Sequence, residues 1–169
     1  VGSEMCIRDS LKKEENEAIL SNCLDGKRYT NINFLPHLQT NSEVNELLNA
    51  IDIDLTGLSG AEGWNLPSFN STCLGKWSLV LNATSHKDWA TSDNSILVDP
   101  NGQEECYDEK FFHKGQPFNQ GNIFSWDSDV VAQAMDVAVS KKGQINTAGE
   151  KLKEQFSYEK TVDLSLIHI

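Results

Sequence analysis

Residues 77–82, WSLVLN, constrain the fold of this chain more than any other feature. They form a nearly continuous apolar run, which is typical of a parallel strand that is covered on both faces. Shorter strand patterns occur at residues 30–35, 53–58 and 95–98, between turn signals such as Pro36. Helical patterns separate these strands. The sequence therefore predicts an α/β fold with a mostly parallel sheet flanked by helices.

The helices are predicted from capping residues and from the spacing of apolar residues. Thr40 and Glu43 form a capping box at the start of one helix, and Pro67 fits the first turn of another, which Gly75 ends. The predicted helices are residues 11–23, 40–51, 66–73, 127–139 and 146–156. In the fourth of them, the inward-facing residues are expected to be Val131, Ala134, Met135 and Ala138.

Residues 100–126 differ in composition from the rest of the chain, because they are rich in Gly, Asn, Gln, Phe and charged residues. A segment of this length is expected to be a functional loop or an ordered excursion. Its phenylalanines suggest a loop that folds back onto the domain, over the ligand cleft, and they are Phe111, Phe112, Phe118 and Phe124.

The charge of the chain excludes one class of partner. The 169 residues carry a formal net charge of −11, and no basic cluster offsets it. A surface that follows nucleic-acid phosphates needs clustered Lys and Arg, so nucleic-acid binding is not expected. The chain contains no apolar run of membrane-spanning length. Its cysteines are few and unpatterned, which favours reduced thiols in a cytoplasmic protein.

Both ends of the chain resemble translated sequencing adaptor. LSLIHI at the carboxyl end can be encoded by DNA whose reverse complement, in another frame, encodes MCIRD, which lies near the amino end. We therefore expect residues 1–10 and 164–169 to be artefacts and residues 11–163 to be one domain of a longer natural protein.

The stretch AEGWNLPSFN, residues 61–70, lies where a predicted strand gives way to a predicted helix. Ligands of parallel α/β sheets bind beyond the carboxyl ends of the strands, often against a helix N-terminus. Gly63 allows close approach of a ligand to the backbone, and Glu62 can accept hydrogen bonds from sugar hydroxyls. Asn70 lies farther along the helix, where it could reach a ribose. The alternative is structural: Glu62 as a cap, Gly63 as a turn and Trp64 as packing.

Six segments follow one another over about 130 residues: NINFLP at 31–36, EVNELLNAIDIDL at 43–55, EGWNLPSFN at 62–70, LGKWSLVLNA at 74–83, SILVDPNG at 95–102 and FSYEKTV at 156–162. These segments and their order resemble the C-terminal, donor-binding half of retaining GT-B glycosyltransferases, in the large family with a Glu-x7-Glu motif. The resemblance implies a Rossmann-like fold, the C-terminal half of GT-B.

The resemblance also implies a function and a set of site residues. Glu62 would be the catalytic-site carboxylate that holds the transferred sugar. The backbone of Gly63, Trp64, Asn65 and Leu66 would line the sugar and pyrophosphate, and Asn70, in place of the family's second Glu, would contact the ribose. Pro36 and His37 would face the nucleotide base.

The implied activity is transfer of a sugar, of the hexosyltransferase type, from a nucleoside diphosphate sugar to an unknown glycan, lipid or protein acceptor. No cofactor is implied, because the nucleotide sugar is itself the substrate, and no bound metal is expected. The family's basic pair belongs upstream, in a region not contained in this chain. In the longer natural protein, an N-terminal domain of the same polypeptide is expected to complete the site. The fragment alone should therefore bind donor without turnover.

Two other interpretations remain open. One is a nucleotide-sugar epimerase of the same fold, and the other is a non-catalytic module that binds sugar nucleotides or glycans. His86 and Asp88, in HKDW, follow a strand that should end at the same edge as Glu62, so they could serve as a base or contact the acceptor sugar. A hydrogen bond within a loop is the structural alternative for this pair.

Overall fold

The computed structural model describes residues 18–19, 21–27, 29–32, 35, 37–160 and 162. The chain divides into two compact units, Val1–Asn45 and Glu46–Ile169. In the first unit the described residues 18–19 and 21–23 are helical, and Asp25 and Gly26 form a turn, both as predicted.

The strand predicted at residues 30–35 is wrong for the residues described there. Thr30 and Asn31 form a turn, and Ile32 and Leu35 are irregular. A strand needs a paired backbone and a buried face to persist. Ile32 and Leu35 are instead 41% and 59% exposed, so a strand conformation here is not stabilised by burial of their apolar side chains.

Helix α1 (Asn41–Ala50) begins with the predicted capping box. Glu43 Oε2 accepts a hydrogen bond from the backbone N–H of Thr40 at 2.8 Å, and Thr40 Oγ1 accepts one from the N–H of Glu43 at 3.2 Å. Backbone N–H groups of Thr40 and Gln39 favour the charged carboxylate and lower the pKa of Glu43. The box thus satisfies donors that a helix start otherwise leaves unpaired.

Two sheets follow in the second unit. The elements are β1 (Ile53–Gly57), α2 (Leu66–Cys73), β2 (Trp77–Leu81), a 3₁₀ helix (Thr84–Asp88), β3 (Ile96–Val98), β4 (Gly102–Glu105), β5 (Asn122–Ser125), α3 (Ser128–Ser140), α4 (Thr147–Glu150) and α5 (Leu152–Gln155). Strands β1, β2 and β3 form a parallel sheet in that order, with β2 in the centre. The predicted α/β class, with a parallel sheet flanked by helices, is confirmed.

Both faces of β2 are covered, as its apolar sequence predicts. Leu79 and Leu81 point into a core with α3, and Val80 points into a second core with Trp89 and Leu152. All three β2 side chains have no exposed surface. Because successive side chains of a strand point to opposite faces, this one short strand contributes to the cores on both faces of the sheet.

Helix α2 has the start and end that its sequence predicts. Pro67 lies in the first turn, where its missing N–H is no loss. Gly75 follows the helix with φ of +79°, and its N–H bonds to the carbonyl of Thr72, while the N–H of Lys76 bonds to that of Ser71. This pair of bonds is a Schellman motif, which a left-handed glycine makes possible.

Helix α3 buries only part of its predicted inward face. Val131, Ala134 and Ala138 are buried, but Met135 is 38% exposed, so its predicted inward position is wrong. The three buried residues are spaced three and four apart and form one narrow stripe, and Met135 lies beside that stripe. The predicted helix at 146–156 is two short helices, α4 and α5, which meet at Lys151.

Strands β4 and β5 form an antiparallel hairpin within residues 100–126, which are therefore an ordered excursion. Phe124, at the base, packs against the core as predicted. Phe111, Phe112 and Phe118 are 66%, 37% and 64% exposed, so the prediction that they fold onto the domain is wrong. The segment closes on itself instead, because Asp108 Oδ1 accepts hydrogen bonds from three successive backbone N–H groups, those of residues 110–112.

Cys23, Cys73 and Cys106 are free thiols. Burial raises the pKa of Cys73 to about 11, so this thiol stays protonated at pH 8, and the thiolate is the nucleophile. We expect iodoacetamide at pH 8 to label the exposed Cys23 before Cys73, as followed by mass spectrometry of tryptic peptides. Equal labelling of Cys23 and Cys73 would contradict the buried, protonated state of Cys73.

Within the part of the chain that the structure describes, no helix is both long and apolar enough to cross a membrane.

Candidate functional site

Residues 58–65, here called the Glu62 loop, connect β1 to α2 at the carboxyl ends of the parallel strands. Ser85 follows the end of β2, and its Oγ donates a hydrogen bond to the backbone carbonyl of Glu62 at 3.0 Å. Because both parallel strands end here, the loop lies at the sheet edge where ligands of α/β folds bind. The predicted position of AEGWNLPSFN, between a strand and a helix, is confirmed.

Asn65 fixes the end of the loop with an inward side chain. It is 5% exposed, and its backbone is left-handed, with φ of 62°. Its Oδ1 accepts a hydrogen bond from the N–H of Ser68 at 3.2 Å, which caps α2. Its Nδ2 donates to the carbonyl of Thr56 at 3.0 Å, which ties the cap to β1.

His86 is the second partner of the Asn65 amide. Its Nε2 lies 3.1 Å from Asn65 Nδ2, and its Nδ1 lies 2.9 Å from the carbonyl oxygen of Leu81. A carbonyl only accepts, so Nδ1 carries the proton; an amide nitrogen only donates, so Nε2 accepts. His86 is therefore the neutral Nδ1–H tautomer, and burial lowers its pKa below the usual value.

A buried polar network supports α2 against the two strands. Asp54, on β1, accepts a hydrogen bond from Ser68 Oγ at 2.5 Å and another from Thr56 Oγ1 at 2.9 Å. Thr72 Oγ1 donates to Ser78 Oγ, on β2, at 2.9 Å. Buried polar groups that are satisfied in this way fix one arrangement of the elements. The loop therefore starts from a rigid base.

Aromatic rings hold the outer side of the loop. The Trp64 ring lies edge-on to Phe69 and Phe156, with centroids 5.3 Å and 5.2 Å apart. Trp89 Nε1 donates to the Trp64 carbonyl at 3.1 Å. The Trp64 side chain therefore packs, which is the structural role that the sequence left open, and Phe156 brings the carboxyl-terminal segment to the loop.

Two residues at this edge carry strained backbone. Asn65 and Thr84 both have positive φ, 62° and 55°, and Thr84 is β-branched, for which this region is unfavourable. The hydroxyl of Thr84 is also buried, with no hydrogen-bond partner among the described residues. Strain of this kind clusters at functional sites because the surrounding structure must maintain it.

The loop contains backbone donors that have no hydrogen-bond acceptor among the described residues. Within the described residues, the backbone N–H groups predicted to line the ligand, those of Gly63, Trp64, Asn65 and Leu66, have no hydrogen-bond acceptor. Gly63 and Leu66 are exposed, Glu62 is half-buried, and Asn70 is exposed on α2. The structure thus combines a carboxylate with unpaired N–H groups at a helix N-terminus, a set that suits hydroxyl or phosphate oxygens.

The structure gives the exposure of the other predicted site residues but shows no ligand contact for them. His86 has no exposed surface, so its side chain contacts protein atoms, whereas Asp88 is exposed at the end of the 3₁₀ helix. His37 is an exposed residue of the Val1–Asn45 unit, and Pro36 lies outside the described residues. Their predicted contact with a nucleotide base stays a prediction.

The hairpin contacts the Glu62 loop through hydrogen bonds whose partners the sequence did not identify. The N–H of Phe124 donates to the carbonyl of Gly60 at 3.0 Å, and Trp126 Nε1 donates to the carbonyl of Leu58 at 2.9 Å. Both acceptors lie in the Glu62 loop. The only signal for this contact was the pair of aromatic residues at 124 and 126, which does not identify a partner. The hairpin base therefore buttresses the candidate site.

A groove of ≈ 450 Å³ lies away from this edge, between the start of β2, β3 and α3. Lys141 Nζ lies 4.2 Å above the Trp77 ring there. Within the described ranges, no cluster of three or more His, Cys, Asp or Glu side chains has the arrangement of a metal site.

Comparison with known proteins does not assign the chain to a group. No protein-family model matches it, and no curated protein matches it either.

Proposed function

We propose that this chain is the donor-nucleotide domain of a retaining glycosyltransferase with the GT-B fold. It would bind a nucleoside diphosphate sugar and, with an N-terminal domain, transfer the sugar to a glycan, lipid or protein acceptor. The observation that carries the proposal is the Glu62 loop, in which half-buried Glu62 is followed by backbone N–H groups that have no acceptor among the described residues, at the carboxyl edge of a parallel sheet.

Each part of the loop has a role in this proposal. The Glu62 carboxylate would accept hydrogen bonds from hydroxyls of the transferred sugar. The backbone N–H groups of Gly63, Trp64, Asn65 and Leu66 would bind sugar or pyrophosphate oxygens, helped by the positive end of the α2 dipole. Fixed donors of this kind stabilise negative charge as it develops on the leaving pyrophosphate.

Asn70 and Asp88 would act at the margin of the site. Asn70 is exposed on the same helix, and its uncharged amide would contact the ribose. Asp88 is exposed after the end of β2 and would contact the acceptor sugar. Free thiols at Cys23, Cys73 and Cys106 are in keeping with the reducing cytoplasm, where we place the protein.

Calorimetric titration of the folded chain with uridine, guanosine and adenosine diphospho-sugars tests donor binding. We expect one of these series to bind, and the free sugars to bind far more weakly. Radiolabelled donors with the full-length gene product then separate the alternatives. Transfer to an acceptor supports the proposal, donor conversion without acceptor indicates an epimerase, and binding without either reaction indicates a binding module.

A further inference from the structure

We propose that His86 is a positioning residue for the Glu62 loop, and that it acts through the Asn65 amide only as the neutral Nδ1–H tautomer. This inference deepens the proposed function, on which its relevance to donor binding rests. The geometry itself depends on three hydrogen bonds between protein groups, those of the Asn65 side chain to Thr56, Ser68 and His86.

The Asn65 side chain has no spare donor. One hydrogen of its Nδ2 goes to the Thr56 carbonyl and the other to His86 Nε2, while Oδ1 accepts from the Ser68 N–H. These bonds hold a non-glycine residue at φ of 62°, next to the N–H groups that the loop exposes. Asn tolerates this conformation better than most residues, but it needs such support to keep it.

Protonation of His86 is incompatible with this arrangement. A second proton on Nε2 would face the Nδ2–H₂ group, so two donors would meet at the 3.1 Å contact. Rotating the amide by half a turn would offer Oδ1 to His86, but it would then turn Nδ2–H₂ toward the Ser68 N–H and lose the bond to Thr56. Either response breaks at least one of the bonds that fix the loop.

Burial and the charges around His86 determine the pH at which it is protonated. Burial lowers the pKa of His86, and smaller effects raise it, in decreasing order from the carbonyl of Leu81, the carboxylate of Glu62 and the carbonyl of Ala83. Asp54 lies beyond Asn65, bound to Ser68 and Thr56. On the 3₁₀ helix that carries His86, the charged residues Lys87 and Asp88 are exposed. Trp89, which lies edge-on to the imidazole, carries no charge.

The sign of the pH effect follows from the lowered pKa. The unfolded chain takes up the proton near the ordinary value of about 6.5, before the folded chain does. The contribution of neutral His86 to folding stability is therefore complete above that value. It is lost as the pH falls from there to the lower pKa of the folded state.

Nitrogen-15 NMR of the whole chain tests the tautomer directly. Selectively labelled histidine should show His86 with a protonated Nδ1 and an unprotonated Nε2 at pH 7.5. The backbone N–H signals of Gly63 and Leu66 should titrate together with His86 below its usual range. A protonated Nε2 at pH 7.5, or loop signals that do not move with His86, would overturn the inference without any variant.

The variant His86→Gln keeps an acceptor for Asn65 but cannot titrate. We expect its loop signals to keep their pH 7.5 positions over the pH range in which His86 of the unchanged chain titrates. The matched control is His113→Gln, which replaces an exposed histidine of the hairpin. Its loop signals should titrate like those of the unchanged chain. A loop titration that persists in His86→Gln would exclude His86 as its cause.

Donor affinity adds a readout that separates this inference from the proposed function. Over the pH range in which His86 titrates by NMR, the donor affinity of the unchanged chain should fall by about tenfold, which corresponds to the loss of one hydrogen bond, and the affinity of His86→Gln should show little change. If no diphospho-sugar binds at any pH while the NMR results hold, the proposed function fails and the positioning role stands. An equal loss of affinity in both chains would overturn the link between them.

Discussion

Gly60→Ala should lower the free energy of unfolding by about 1–3 kcal/mol, because it forces extra volume into a closed contact. A Cβ atom at position 60 would overlap the backbone carbonyl of Phe124. A backbone group cannot rotate away, so the hairpin must move off the Glu62 loop. The Phe124–Gly60 and Trp126–Leu58 hydrogen bonds would then weaken or break.

Gly102→Ala is the matched control for this change. Gly102 lies in the hairpin that contacts Gly60, and its added Cβ would meet only Ser125 Oγ, at 3.4 Å, an ordinary contact. Urea unfolding of the two variants should therefore differ clearly, and only Gly60→Ala should speed hydrogen exchange at the Phe124 N–H. Equal stabilities for both variants would show that the hairpin base does not pack on the loop.

Glu62→Gln should weaken binding of the nucleotide sugar by about 10- to 100-fold, because hydrogen bonds to a charged group contribute about 1.5–3 kcal/mol. The substitution keeps the shape of the side chain and removes its charge. The backbone carbonyl of Glu62, which accepts from Ser85 Oγ, is unaffected, so the fold should be retained. Calorimetric titration with the best diphospho-sugar gives the ratio.

Asp93→Asn removes the same charge at an exposed turn outside the site and controls for net charge. We expect its donor affinity to match that of the unchanged chain. Circular dichroism should confirm that both variants fold. If Glu62→Gln binds the donor as tightly as Asp93→Asn, the carboxylate does not hold the sugar.

Features that depend on neighbouring residues could be predicted from the sequence. The capping box of Thr40 and Glu43, Pro67 in the first turn of α2 and the left-handed Gly75 are local devices, and all three are confirmed. The parallel strand at 77–82 was also predictable, because an apolar run leaves few alternatives.

Features that depend on distant contacts could not be predicted. Asp54 lies in an alternating IDIDL segment, in which the aspartates would be expected to face solvent, yet it is 4% exposed while Leu55 is 46% exposed. Its burial requires the hydroxyl of Ser68, on a different element. The strand predicted at 30–35 failed for a related reason, since propensity alone does not supply a buried face.

The candidate site divides along the same line. The position of Glu62 and Gly63 at the sheet edge followed from the order of strand and helix. The inward side chain of Asn65 did not, because its partners Thr56 and His86 come from separate elements. The docking of Phe124 on Gly60 joins segments far apart in sequence, and no local pattern records it.

Chemical-shift mapping of the labelled chain with each diphospho-sugar tests directly whether the Glu62 loop binds the donor. We predict that the largest shifts occur at the backbone N–H groups of Gly63, Trp64 and Leu66, and that they shrink strongly in Glu62→Gln. Absence of any shift with every uridine, guanosine and adenosine diphospho-sugar would rule out donor binding at this loop. So would shifts confined to the groove near Trp77 and Lys141.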